Sequence, residues 1–513
     1  MTDPTILDRL TTGVPGLDTV LEGGLLRGGV YLVEGPPGSG KTILGNQMCF
    51  SHAASGGRAV YMTLLAESHT RMLAHMRRMQ FFRTELIPDQ VHYLSAFKVL
   101  EAEGLHGLLT VLRKTVTART ATLLVLDGLV SAEEAAPSAK EFKKFVHELQ
   151  IVCSMTACTC LFLSSTERTR SFPGPRPFRP EHTMVDGILE LGDELKSLRA
   201  VRSIVVRKMR GTAPVLGRHT VEISDAGMVV VPRFETRSSS LLAEDTPTPH
   251  DRMLLGIPSL DEMLGGGLPA RSITMVLGPT GVGKTTLGLQ FLGTGAERGE
   301  PGVYFGFYEH PAALLDRGRR LQLGFEGISD GPVDLVWHRP VEGIIDVVGD
   351  RLLGLVKRRG ARRLVIDGMA GFQGSVDEPN RVREVFAALS DELAREGVTT
   401  IYTMETADLL GPRIEVPVRG VSAITHNIIL MRHVELEARL YRLLSILKVR
   451  DGDYDGAIRE FRINDNGIEI LDTFTMADRI LTGTAKTSGT RASRRTGGGK
   501  KATTRKKRPR RRT

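Results

Sequence analysis

The sequence predicts an α/β fold in two similar halves, each built on a mainly parallel central sheet, and three observations carry that expectation. Gly278-Pro279-Thr280-Gly281-Val282-Gly283-Lys284-Thr285 follows the apolar run 272–277 and precedes the helix-compatible stretch 286–299. Gly35-Pro36-Pro37-Gly38-Ser39-Gly40-Lys41-Thr42 stands in the same context, after the apolar run 30–33. Around both loops, Gly13, Leu17, Asp18, Leu21 and Lys41 recur 243 positions later as Gly256, Leu260, Asp261, Leu264 and Lys284. A fixed offset of that size marks a duplicated unit.

A glycine-rich loop between a strand and a helix lets backbone N–H groups converge on phosphate, while its Lys meets the terminal phosphates and its hydroxyl ligates Mg²⁺. The predicted phosphate cradles are Gly35, Gly38, Ser39, Gly40, Lys41 and Thr42 in the first half. In the second half they are Gly278, Gly281, Val282, Gly283, Lys284, Thr285 and Thr286.

The elements follow in order. Residues 11–25 are glycine-rich and read as turns leading into the first loop strand rather than as a dinucleotide fingerprint. Residues 43–54 read as the helix whose N-terminus faces phosphate, and 59–65 as an apolar strand ending near Glu67. The run 122–127 reads as a buried parallel strand with Asp127 at its C-terminal end, repeated by 364–367 with Asp367. A carboxylate there suits the Mg²⁺ of a nucleotide, alongside Thr42 or Thr285; capping a following helix is the plainer alternative. Lys41 to Asp127 spans 86 residues and Lys284 to Asp367 spans 83. Two further β-type runs deliver Lys208 with Arg210 and Lys448 with Arg450, each Lys 81 residues after its strand-end acid. In a strand, residues two apart share a face, so each pair points one way. The constant spacing favours phosphate over a merely solvated face.

Composition limits the rest. The chain has 68 Lys and Arg against 59 Asp and Glu, but thirteen of the bases lie between Lys486 and Arg512, where there is no acid. The remaining 55 bases face 59 acids, a net charge of −4. Basicity belongs to a tail rich in Thr, Gly, Ser, Lys and Arg, which cannot bury a core and is expected to be disordered. Such a tail is either a solubilising arm or one that holds DNA or another polyanion by its phosphates, without base stacking. Residues 238–249 are polar and Pro-containing and read as a linker. The expected domains are therefore 1–237 and 251–483, with 238–250 between them and the tail from 484 to 513. No signal peptide or membrane-length apolar run is evident, so a cytoplasmic protein without a membrane span is expected. Cys49, Cys153, Cys158 and Cys160 read as buried thiols, since a zinc site needs a fourth ligand and a knuckle spacing.

From about Leu7 to Gly483 the chain resembles the KaiC family of RecA-like P-loop ATPases, the double-lobed ATPases first known from the cyanobacterial clock. The resemblance rests on both lead-ins, both loops, both strand-end aspartates and the Lys-x-Arg pairs. It rests also on Ile424-Thr425-His426-Asn427-Ile428-Ile429-Leu430 and Ala457-Ile458-Arg459-Glu460-Phe461. It implies two tandem RecA-like domains, ATP and Mg²⁺ as cofactors, and a two-tiered homo-oligomeric ring, usually a hexamer, with ATP between subunits. It also implies that Lys208, Arg210, Lys448 and Arg450 act on the neighbour's triphosphate, as an arginine finger does. Family members carry paired glutamates after the strand that follows the loop helix; here Glu67 and Glu309 each stand alone as candidate bases, after Ala66 and Tyr308. Ser422 matches a family phosphoacceptor, but Ala423 replaces its neighbouring Thr, so a two-site phosphorylation cycle is not expected.

The function expected is a KaiC-like regulatory or signalling ATPase with protein partners of its own. Two rivals differ in class. One is a serine/threonine autokinase or protein kinase with Ser422 as acceptor and Glu309 as base; the other is a DNA-dependent ATPase of the RecA or RadA kind, favoured by the tail.

Overall fold

The computed structural model describes residues 8–65, 69–166, 181–196, 199–239, 251–323, 331–339, 344–373, 381–406, 424–436, 439–450 and 452–473. Glu67, Ser422, most of the expected linker and the basic tail lie outside the described residues.

In the first half, apolar runs bounded by Gly and polar residues become the strands β1 (Val30–Gly35), β2 (Ala59–Thr63), β3 (Val91–Ser95), β4 (Leu123–Asp127) and β5 (Thr159–Ser165). Four more follow, β6 (Gly187–Lys196), β7 (Arg199–Met209), β8 (Arg218–Ser224) and β9 (Gly227–Val231). They form one nine-stranded sheet in the order β9-β8-β7-β6-β1-β5-β4-β2-β3. The strands from β6 across to β3 are mutually parallel, whereas β6 to β9 pair antiparallel. Strands β1, β2 and β4 are buried almost throughout, as expected where helices cover both faces of a parallel sheet.

The second half repeats the plan. Its strands are β10 (Ile273–Gly278), β11 (Gly302–Gly306), β12 (Val333–Trp337), β13 (Arg363–Asp367) and β14 (Thr399–Glu405). They continue as β15 (Asn427–Leu436), β16 (Arg439–Val449), β17 (Arg459–Asn464) and β18 (Gly467–Thr473). The order β12-β11-β13-β14-β10-β15-β16-β17-β18 is the same topology. The helices that matter below are α1 (Lys41–Ala54), α2 (Lys284–Glu297), α3 (Pro311–Arg320), α4 (Ile345–Arg359) and α5 (Arg381–Arg395). No described helix is long and apolar enough to cross a membrane.

The recurring lead-in has a packing reason. Gly13 and Gly256 sit at φ 66 and 79, and a Cβ on either would come within 2 Å of Ser51 Oγ or Thr294 Oγ1, so no side chain fits. Asp18 accepts the Thr12 N–H at 2.9 Å, and Asp261 accepts those of Leu255 and Gly256 at 2.7 and 3.1 Å. The motif thus clamps the chain against the loop helix, α1 or α2. The expected turns include a short helix, Leu17–Val20, whose counterpart is Pro258–Met263.

The halves meet through the end of the first. A 3₁₀ helix, Phe234–Ser239, follows β9 and takes in the first two residues of the expected linker. Phe234 is fully buried within the core of the second half, among residues such as Val348, Leu352 and Phe386. Its N–H donates to Asp346 Oδ1 at 3.0 Å. Arg381 binds that carboxylate at 2.9 Å and also Glu235, at 2.7 and 2.9 Å.

Candidate functional site

Each glycine-rich loop follows the central strand of its sheet, β1 or β10, at the switch between strands running out on either side. That is where open α/β sheets bind ligands. The loop glycines Gly40 and Gly283 lie at φ 101 and 120 and open directly into α1 and α2, whose first residues are Lys41 and Lys284. A Cβ at Gly40 would meet Ile223 and Met228 within 2.8 Å, and at Gly283 it would meet Ile463 at 2.8 Å. The hairpins β8–β9 and β17–β18 therefore roof the loops. They are fastened to the helices by Gln47, which exchanges two hydrogen bonds with the Met228 backbone, and by Gln290, which accepts the Ile468 N–H.

Both lysines fold onto their own loops: Lys41 Nζ donates to Gly35 O and Pro36 O at 2.8 and 3.0 Å, and Lys284 Nζ to Gly278 O and Pro279 O at 2.7 Å each. Burial lowers the pKa of each ammonium; Asp127 opposes this at the first site, and Glu405 and Asp367 at the second. Ser39 Oγ is buried with no hydrogen-bond partner among the described residues. The strand-end acids face the loop hydroxyls: Thr42 Oγ1 lies 3.4 Å from Asp127 Oδ2, and Thr285 Oγ1 2.8 Å from Asp367 Oδ2. Burial raises the Asp127 carboxyl above its ordinary value, against the opposing effects of Tyr61, Lys41 and Thr42. A hydroxyl beside a carboxylate is a hard oxygen pair that fits Mg²⁺, and an orphaned Ser39 hydroxyl among loop amides fits phosphate.

Sequence reasoning missed two tyrosines. Tyr61 OH donates to Asp127 Oδ2 at 2.6 Å and Tyr304 OH to Asp367 Oδ2. They are 243 residues apart, as are Gln47 and Gln290, so the repeat offset itself would have found them. Thr403, which donates to Asp367 Oδ1, has no such signal, because its counterpart on β5 is Leu163.

The remaining predicted residues divide. Glu309 follows β11 and is held through both oxygens by Arg317 of α3, at 3.0 and 2.9 Å. The Trp337 indole donates to Phe307 O at 3.0 Å and steadies the same loop. Lys208 Nζ donates to His182 O and Thr183 O, and Arg210 Nη2 to Thr183 O, at 3.0 to 3.1 Å. Lys448 Nζ donates to Thr425 O at 2.7 Å. Lys and Arg do converge on one patch in the first half, but far from their own loop. Arg210 N–H donates to Asp186 O and Asp186 N–H to Val30 O, so Arg210 sits level with the start of β1, and Lys208, in register with Ile188 and through it with Leu32, sits level with its middle, whereas the loop leaves its end at Gly35. For Arg210 that is about 16 Å along the strand and for Lys208 about 10 Å, with about 10 Å more across two strands. Arg450, His426 and Ile273 repeat the ladder in the second half.

All four cysteines are buried and unbonded, and no group of His, Cys, Asp or Glu among the described residues could hold a metal unaided.

Comparison with known proteins fits this geometry. The model of a family described as "ATPase: KaiC" matches residues 10–235 and again 254–474. The circadian clock oscillator protein KaiC of Rippkaea orientalis is 24% identical over 487 residues, covering 93% of this chain and 91% of the relative. Its namesake from Picosynechococcus is 24% identical over 489 residues, at 93% and 92% coverage. The one from Synechococcus elongatus is 24% identical over 491 residues, at 93% and 91%.

Proposed function

The chain belongs to the KaiC family of ATPases, and on that premise we propose that it is a Mg²⁺-dependent ATPase whose sites are completed by a neighbouring copy in a ring. A hexamer is the ring the resemblance implies. Turnover in it sets the ring's conformation as a regulatory signal, a role supported by relatives named circadian clock oscillator proteins.

One observation carries the reading: Lys208 with Arg210, and Lys448 with Arg450, lie two strands from the loop strand and short of the loop, the arginines level with that strand's start and the lysines with its middle. Lys208, Arg210 and Lys448 donate to backbone carbonyls rather than to their own loop, which supports a role for both pairs toward the nucleotide of an adjacent copy. Within each copy, the loop amides with Lys41 or Lys284 would bind the phosphates, and Thr42 with Asp127, or Thr285 with Asp367, would hold Mg²⁺. Bound there, Mg²⁺ neutralises charge on the phosphates. Lys208, Arg210, Lys448 and Arg450 supply positive charge in trans, and Glu67 is the first-half base.

The test uses two variants in a Lys284→Ala background, so that only the first tier turns over. Arg210→Ala keeps its loop and loses its cation; Lys41→Ala keeps its cation and loses its loop. Alone, each is expected to be slower than the parent by about 10³. Mixed under conditions where subunits exchange, they regain activity, because the loop of one meets the cation of the other. Mixed rings that exchange yet stay inactive, or an Arg210→Ala protein with parental turnover, overturn the trans arrangement.

A further inference from the structure

Two carboxylates flank the second site, and they differ in state. Glu309 is engaged through both oxygens in the guanidinium fork of Arg317. A carboxylate so held has both oxygens engaged by a fixed pair of donors, which turns it toward the helix rather than toward a water. Glu405 is exposed and has no hydrogen bond or ion pair among the described residues.

Its position is fixed by the backbone. Glu405 ends β14 and is in register with Gly278, the last residue of β10 and the first of the loop. The next residue, Thr406, donates its N–H to the Gly278 carbonyl at 3.2 Å, and the same carbonyl accepts Lys284 Nζ at 2.7 Å. That shared acceptor sets Glu405 beside the lysine that meets the terminal phosphates, and its charge acts on Lys284 and on Tyr308 alike. The Tyr308 ring lies over Gly368, directly after Asp367, so Glu405, Lys284, Tyr308 and Asp367 border one mouth. The first half has the identical scaffold, with Thr166 N–H and Lys41 Nζ both on Gly35 O, but Ser165 stands where the carboxylate would be.

We propose that Glu405 is the proton acceptor for the attacking water at the second site, and that Glu309 is a loop anchor. This rests on the second half being an ATPase site. In the step, a water O–H bond breaks and its proton passes to a Glu405 carboxylate oxygen. The water oxygen bonds the γ-phosphorus, and the bond from γ-phosphorus to its bridging oxygen breaks, the electron pair leaving with ADP. The halves would then differ in the origin of their base, one from the strand after the loop helix and the other from the strand beside the loop.

The full-length Lys41→Ala protein isolates the second site for the test. Adding Glu405→Gln is expected to lower kcat by about 10² to 10⁴ while binding of a fluorescent ATP analogue is kept, a loss at least tenfold deeper than that of Glu309→Gln. Glu405→Ala is expected to regain turnover in formate, a carboxylate small enough to replace the missing group, and a purely structural role would not show such rescue. Turnover of Glu405→Gln within threefold of the parent, or an equal or deeper loss in Glu309→Gln, overturns the assignment. A Lys41→Ala protein that binds ATP but does not turn it over also overturns it. The wider ATPase reading is then judged separately on Lys284→Ala, which reports the first site alone.

Discussion

Tyr61 ties Asp127, the acid proposed to hold Mg²⁺ in the first half, to the strand beside it, and the bond has an electrostatic consequence. Burial raises the Asp127 carboxyl, and the Tyr61 hydroxyl is foremost among the groups pulling it back. Mg²⁺ requires the ionised form. In Tyr61→Phe, the carboxyl is expected to rise further, so that protons displace Mg²⁺ at a higher pH than in the parent. Mg²⁺-dependent ATP binding by the Lys284→Ala protein, followed from pH 8 down to 5, checks this: the midpoint moves upward in Tyr61→Phe, and an unmoved midpoint contradicts the account. The lysines, hydroxyls and strand-end acids were legible because polar residues at a constant offset stand out against apolar runs. A tyrosine inside such a run reads as core, Arg317 meets Glu309 from only eight residues on but carries no repeat signal, and Glu405 reaches its site across the fold, where no spacing along the chain announces it.

Among the elements, the loop helices carry the closest dependence on their neighbours. Gln47 is buried on α1, and its amide satisfies both the N–H and the C=O of Met228 on the roofing hairpin. Gln47→Ala strands two buried backbone groups, at about 1–3 kcal/mol each, and frees the hairpin above Gly40. We expect a lower urea midpoint and weaker ATP binding at the first site, with the second site unaffected; stability equal to the parent's would show that the bonds are dispensable. The central strands were readable from uninterrupted apolar runs. The roofing hairpins were not, because β8 and β17 mix buried and exposed positions and owe their place to a glutamine on another element.

At the scale of the molecule, the halves are joined by Phe234, Glu235, Asp346 and Arg381. Phe234→Ala removes an aromatic side chain from the second core and is expected to cost about 3–5 kcal/mol. In calorimetry, we expect the second half to melt earlier, separating from the first; a single transition at the parental temperature would count against the joint. Acid weakens the same joint. Burial pushes the Glu235 carboxyl up, but the Arg381 hydrogen bonds and charge outweigh it and leave the carboxyl below its ordinary 4.5. Its contribution is complete above that value and is lost as pH falls through the depressed one. The duplication could be read from the sequence, but the dependence of one half on the other could not, since Phe234 comes four residues before the expected linker and looks like any aromatic at the end of a domain.

That dependence bears on how the chain could evolve. Gly349 has no side chain where the Phe234 ring lies, a Cβ there falling within 2.7 Å of it. The second half has thus been shaped around an aromatic encoded upstream of the linker. Were the gene split at the linker, one product would carry an exposed phenyl ring and the other a hole of matching shape. Two lobes that began as copies have become a single heritable unit, and separating them again would take compensating changes on both sides of the cut.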